Sequence, residues 1–361
     1  MQIMKSRLKK YGYINAKLRT RIGKLLDDEF FTRLIESRNL DDAFQLLESS
    51  PFKGLKDTWE SSRDLRQAEL MLTQREINLY LEIFKYVEKD LLDFVKALVN
   101  RYEIDNLKNI LRLWFRKKLD PHMTEDTIEE EKQYLYPNPI IHHLPIEGIL
   151  NAENIEKVAL LLKETPYLDV IDEGISDFKE INSLFPIEIA LDKYFYINLT
   201  DAIGSLSKTD SRIAKRFIGV EIDIQNVEWI VRLKSMYNFP AEKAVSFLIP
   251  NGYSLKAKSF ASVYSLQPME IITTLMKGSY ERFASLLFTG TQDSYARLEL
   301  LESMLKEIEK REVFHILCGY PFTVGIMLAY FILKRNEIRK IITILNAKYY
   351  RKGQEEIRAM L

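Results

Sequence analysis

The sequence predicts an all-α chain built from one helical unit used three times. Apolar residues fall at helical spacing through nearly all of its 361 residues. Strand signals are scarce, with no sustained alternation of β-branched residues bounded by turn pairs. One nine-residue pattern recurs three times, about a third of the length apart: acidic, Ile, any, Asn or Lys, aliphatic, two of any, Ile, aliphatic. It occupies residues 103–111, 223–231 and 337–345, and its leading acids Glu103, Asp223 and Glu337 are 120 and 114 residues apart. Tandem copies of a unit without an active-site motif usually build a scaffold or socket.

Taken in order, residues 1–13 are basic with no apolar core after them, so no secretory signal is expected. Residues 39–47 form a block that precedes Ser50-Pro51-Phe52. Residues 154–162 repeat it before Thr165-Pro166-Tyr167, and 268–276 give a weaker third version before Tyr280. Leu47, Leu162 and Met276 are 115 and 114 residues apart, so a second landmark gives nearly the same period. Residues 65–98 carry helical spacing without Gly or Pro and predict one long helix or two, with 187–203 and 295–308 as shorter counterparts. Breaks are expected at Asp120-Pro121, Pro137-Asn138-Pro139, Pro240 and Pro250-Asn251-Gly252. The domain cuts follow: 1–128, 129–245 and 246–361.

Within each motif the acid and the aliphatics at i+4, i+7 and i+8 from it share a helix face. Each acid heads its apolar stripe, where a helix N-terminus would favour a carboxylate. One reading is that Glu103, Asp223 and Glu337 tie helix ends into the core. The other is that they face a shared opening and meet a partner's basic groups. Asn106, Asn226 and Lys340 hold the fourth position, and Arg112 and Arg232 follow the first two copies, with Asn346 in the third.

Lys plus Arg and Asp plus Glu are each 52, so the formal charge is zero and gives no bias toward nucleic acid. The basic runs at 5–10 and 112–118 read as solvated helix faces. One cysteine, Cys318, excludes an internal disulfide framework and fits a reducing compartment. Residues 313–333 carry no charge apart from His315, long enough for a membrane span. Gly319-Tyr320-Pro321 interrupts that run, however, and the corresponding residues 207–220 hold five charged side chains. A buried helix pair is therefore expected, with Pro321 opening the second helix. No phosphate-binding Gly-rich loop occurs, and His122, His142, His143 and His315 have no zinc-site spacing. No catalytic residue, metal or cofactor is expected.

Several blocks carry a resemblance to a known family. They are Tyr11-Gly12-Tyr13-Ile14-Asn15-Ala16-Lys17-Leu18-Arg19, residues 219–226, Leu248-Ile249-Pro250-Asn251-Gly252-Tyr253, Pro321-Phe322-Thr323-Val324-Gly325, residues 336–341 and 355–358. In this order they resemble the C subunit of the V/A-type rotary ATPases, whose eukaryotic relative is the d subunit. The resemblance implies three helical domains about a pseudo-threefold axis, shaped like a funnel. It implies a non-catalytic coupler, present as a single copy, at the cytoplasmic face of the membrane. Its partners would be the central stalk and the proteolipids of the membrane rotor ring. Membrane association would be indirect, and H⁺ or Na⁺ would cross other subunits. Two alternatives remain: a generic helical-repeat scaffold with no membrane partner, and an enzyme whose site spans the domains.

Overall fold

A computed structural model describes residues 2–120, 122–237, 239–277, 280–281 and 294–361, without the side chains of 2–5, 294–300 and 302. Pro121 of the first expected break lies outside the described residues. Every regular element among them is helical, so the fold is all-α. The chain divides into two compact units.

The first unit comprises Met1–Val87, Val99–Ala152 and Ile326–Leu361. Its helices begin with α1 (Gln2–Ile22), α2 (Asp28–Glu36), α3 (Leu40–Leu47), α4 (Leu55–Ser62) and α5 (Leu65–Ile83). Next come the greater part of α6 (Asp90–Leu119), then α7 (Glu125–Lys132) and α8 (Ile146–Leu150). The second unit comprises Glu88–Leu98 and Glu153–Gly325. It carries α9 (Ile155–Leu161), α10 (Tyr167–Ile181), α11 (Phe185–Ser205), α12 (Lys208–Arg232), α13 (Ala241–Ser246), α14 (Ala257–Val263), α15 (Pro268–Met276) and α16 (Ser294–Cys318). The C-terminal helices α17 (Gly325–Tyr349) and α18 (Gln354–Met360) then return to the first unit.

Local chemistry sets the helix boundaries. The 65–98 stretch is two helices, because a 3₁₀ turn at Phe84–Tyr86 and a left-handed Lys89 (φ 50°) stop one before the other starts. The second landmark is a capped helix start. Asn39 accepts from the Asp42 N–H, and Asn154 from the Lys157 N–H. At the weaker third version the Glu270 carboxylate accepts the Gln267 N–H instead. The helix ends also match. The Ser50 hydroxyl donates to Leu47 O and accepts from the Phe52 N–H, while Thr165 does the same between Leu162 O and the Tyr167 N–H. Phe52 and Tyr167 are thereby driven into the core, where both are fully buried.

One core joins distant parts of the first unit. Phe30, Leu34, Phe44, Leu47, Leu55, Trp59 and Leu72 from α2–α5 pack with Ile338, Ile341, Ile344 and Leu345 of α17 and Ile357 of α18. Each such side chain contributes roughly 1.5–3 kcal/mol on burial. The apolar stripe of the third motif thus closes a core begun by the first helices of the chain.

One expectation about helix boundaries changes. Pro321 does not open a helix; it lies in the connection between α16 and α17. Buried Asp210 accepts the Val324 N–H and the Thr323 hydroxyl accepts the Gly325 N–H, which places the helix start at Gly325. Among the described residues no helix is long and apolar enough to cross a membrane.

Candidate functional site: the repeated motif and the loops it holds

The three acids do not stand at helix starts. Glu103 lies 13 residues after Asp90, Asp223 lies 15 after Lys208, and Glu337 lies 12 after Gly325. The helix dipole therefore does little for them, since its effect fades within the first turn. Their partners are loops remote in sequence. Glu103 Oε2 accepts the N–H groups of Ile141 and His142 at 2.6 and 2.7 Å, and its Oε1 lies 2.7 Å from His142 Nδ1. Asp223 Oδ2 accepts the N–H groups of Ser254 and Leu255 at 2.7 and 3.1 Å and the Tyr280 hydroxyl at 2.7 Å. Glu337 Oε1 accepts the Leu26 N–H at 2.7 Å, and Oε2 pairs with Lys334 at 2.6 Å.

Glu103, Asp223 and Glu337 are 1, 0 and 5% exposed, so these contacts replace water almost completely. Burial pushes the Asp223 carboxyl above the usual aspartate range, against the pull of Tyr280 and the two backbone donors. Burial and the adjoining Asp223 push the Tyr280 hydroxyl up as well.

The fourth motif position holds a second point of the same loops. Asn106 accepts the Tyr136 N–H at 2.9 Å and donates to Tyr136 O at 3.2 Å. Asn226 accepts the Ile249 N–H and donates to Ile249 O, both at 2.8 Å. A primary amide is the side chain that can satisfy both groups of one peptide residue at once. In both copies the acid grips a residue five positions beyond the one the Asn grips: Ile141 after Tyr136, Ser254 after Ile249. The third copy departs from this. Lys340 lies 5.0 Å from the Phe31 ring centre and 4.0 Å from Asp28, so it covers an aromatic face rather than clasping backbone.

Arg112 and Arg232 take no part in these grips. Arg112 donates to Asn109 and lines a small cavity of about 210 Å³ with Arg66, Arg116 and Glu131. Arg232 is exposed at the last residue of α12, where a cation suits the helix end. Sequence reasoning missed His142, Tyr280 and Lys334 as partners of the acids. Only Lys334 carried a local signal, three residues before Glu337. Two glycines also matter. A Cβ on Gly252 would run into Asp223 Oδ1, and one on Gly219 would stand 2.9 Å from Tyr253 N. The loop at 250–256 thus lies directly on α12, with Tyr253 N–H donating to Gly219 O.

Among the described residues no group of His, Cys, Asp or Glu is placed to hold a metal ion. The arrangement has the chemistry of a mechanical joint: buried acceptors pinning loop backbone to long helices.

The model of the ATP synthase (C/AC39) subunit family matches residues 14–360, and the chain belongs to that family. It is thus a non-catalytic component of a rotary ATPase. The chain is 24% identical to the A-type ATP synthase C subunit of Methanocaldococcus jannaschii, across 97% of this chain and 86% of that protein. It is 26% identical to the corresponding C subunit of Methanococcoides burtonii, across 97% and 94%. It is 23% identical to that of Pyrococcus furiosus, across 97% and 90%.

Proposed function

We propose that the chain is a socket in the rotor of a V/A-type ATPase, joining the central stalk to the membrane ring so that torque links ATP turnover to H⁺ or Na⁺ transport. The observation that carries this reading is the use of all three motif acids on loop backbone within the fold. A torque-bearing part needs stiffness more than one tight site, and close-packed helices pinned at their loops deform little. The triple domain plan, 1–128, 129–245 and 246–361, belongs to the same proposal. On that division the grips follow a cyclic order: Glu103 holds a loop opening the second copy, Asp223 one opening the third, and Glu337 one in the first. Three tandem copies joined head to tail would make that pattern, and a funnel about a pseudo-threefold axis is one form it can take. The central stalk and the ring proteolipids are the proposed partners, at the cytoplasmic face, with one copy of the chain per complex.

The test is a pull-down of the tagged chain from detergent-solubilised native membranes. Recovery of the nucleotide-binding head proteins together with the small ring proteolipid is the expected result. A chain that stays monomeric in the soluble fraction and recovers neither would return it to the generic scaffold reading.

A further inference from the structure

The second unit carries an open cleft of about 820 Å³ between the start of α12, the end of α11 and the loop at 250–256. Lys208, Arg212, Lys215, Arg216 and Lys256 line it, against one acid, Asp201. Arg216 pairs with Glu312 and Lys256 donates to Gly252 O. Lys208, Arg212 and Lys215 are exposed and make no ion pair with any described residue.

This placement opposes the helix. Lys208 is the first residue of α12, where the dipole disfavours a cation. Lys208, Arg212 and Arg216 stand at i, i+4 and i+8, where like charges repel. The opposite wall is closely built. It is the loop that Asp223 and Asn226 hold, seated on Gly219 and turned by a left-handed Asn251 (φ 67°). It presents a half-exposed Tyr253 beside the cations.

We propose that this cleft receives an acidic segment of a neighbouring protein in the ATPase. The proposal rests on the socket reading above and names the chemistry of one of its contacts. Eight residues of helix extend about 12 Å, so one phosphate cannot reach all the cations, whereas a polypeptide with acids at helical spacing can. The chain's zero formal charge and the single aromatic at the cleft disfavour an extended nucleic acid, which needs a wider basic track and stacking platforms.

The experiment treats the purified ATPase with a zero-length carbodiimide cross-linker and compares the wild-type chain with a K208E/R212E/K215E variant. Expected are links from Lys208, Lys215 or Lys256 to Asp or Glu of another protein of the complex. In the variant, which keeps Lys256, the links from that lysine fall and the chain is released at lower salt, with affinity weaker on the order of tenfold to a hundredfold. The variant's Tm should equal or exceed that of the wild type, because the changes remove repulsion and place Glu at the helix start. Wild type that assembles without such links, or a variant that assembles with unchanged salt resistance, overturns the cleft proposal and leaves the socket reading standing. Wild type that recovers no other ATPase component overturns both. Links to nucleic acid or inorganic polyphosphate added as competitors, with none to protein, would also overturn it.

Discussion

Asp223 concentrates the local physics of the motif. Its Oδ2 serves three donors, while Oδ1 is buried without a hydrogen-bond partner among the described residues. Removing the carboxylate strands two partly buried N–H groups and a buried tyrosine hydroxyl. Asp223→Ala is therefore expected to cost about 3 kcal/mol or more in urea unfolding. Asp223→Asn keeps an acceptor oxygen and relieves the buried charge, so about 1 kcal/mol or less is expected. Equal costs for the two variants would mean that side-chain volume, not acceptance, is what matters there. The pH dependence has a definite sign. A carboxyl whose folded pKa is raised holds its proton longer in the folded state. Its contribution to stability is fully present below the unfolded pKa, about 3.9, and is lost as pH rises through the folded value. Relative to Asp223→Asn, the wild type should gain stability as pH falls through that window. A difference independent of pH would sink the assignment.

At the level of elements, the joint between a long helix and its loop is the unit that recurs. Asn226→Ala leaves both Ile249 N–H and Ile249 O unpaired in the core, and roughly 2–4 kcal/mol is expected to be lost. Lys340→Ala, at the third copy, gives up only an exposed ion pair and a ring contact, worth about 1 kcal/mol or less. Comparable losses in thermal melts of the two variants would show that the third position is gripped as the others are. The helices were legible because helical spacing is local; that Asn39 and Asn154 cap their starts and Ser50 and Thr165 close their ends emerged only in the folded chain. The function of the acids was not legible as position along a helix. An apolar stripe beginning at Glu103 looks like a helix start when the preceding turns are also helical and no cap marks them. The loop donors lie 31 to 39 residues downstream for Glu103 and Asp223, at no spacing that periodicity encodes. The two glycines could be seen in sequence, but not the approach of Tyr253 and Asp223 that requires them.

Across the whole chain, the N-terminal helices depend on the last ones. Lys348 donates to Ile35 O and Ser37 O, closing the C-terminal end of α2, while Glu337 holds Leu26 just before that helix begins. Arg358 reaches Glu36 and Asn346 reaches Glu69. Between these polar contacts, Ile338, Ile341, Ile344 and Leu345 fill the core of α2–α5. A chain ending at Gly325 would therefore expose Phe44, Leu47, Leu72 and their neighbours at once. Four large aliphatics at roughly 1.5–3 kcal/mol each amount to about 6–12 kcal/mol, comparable with the 5–15 kcal/mol margin of a typical domain. The truncated chain is expected to keep helical circular dichroism but to lose cooperative unfolding of the first unit and to bind a hydrophobic dye. Limited proteolysis should cut first within residues 24–64. Adding a separate peptide of residues 326–361 should restore protection, because it carries the whole closing surface: the α17 stripe together with Ile357 and Arg358 of α18. If the truncated chain unfolds as cooperatively as the full chain and its first four helices resist protease, the closure of the chain's beginning by its end is packing without consequence. The cyclic order of grips proposed above would then have no mechanical meaning.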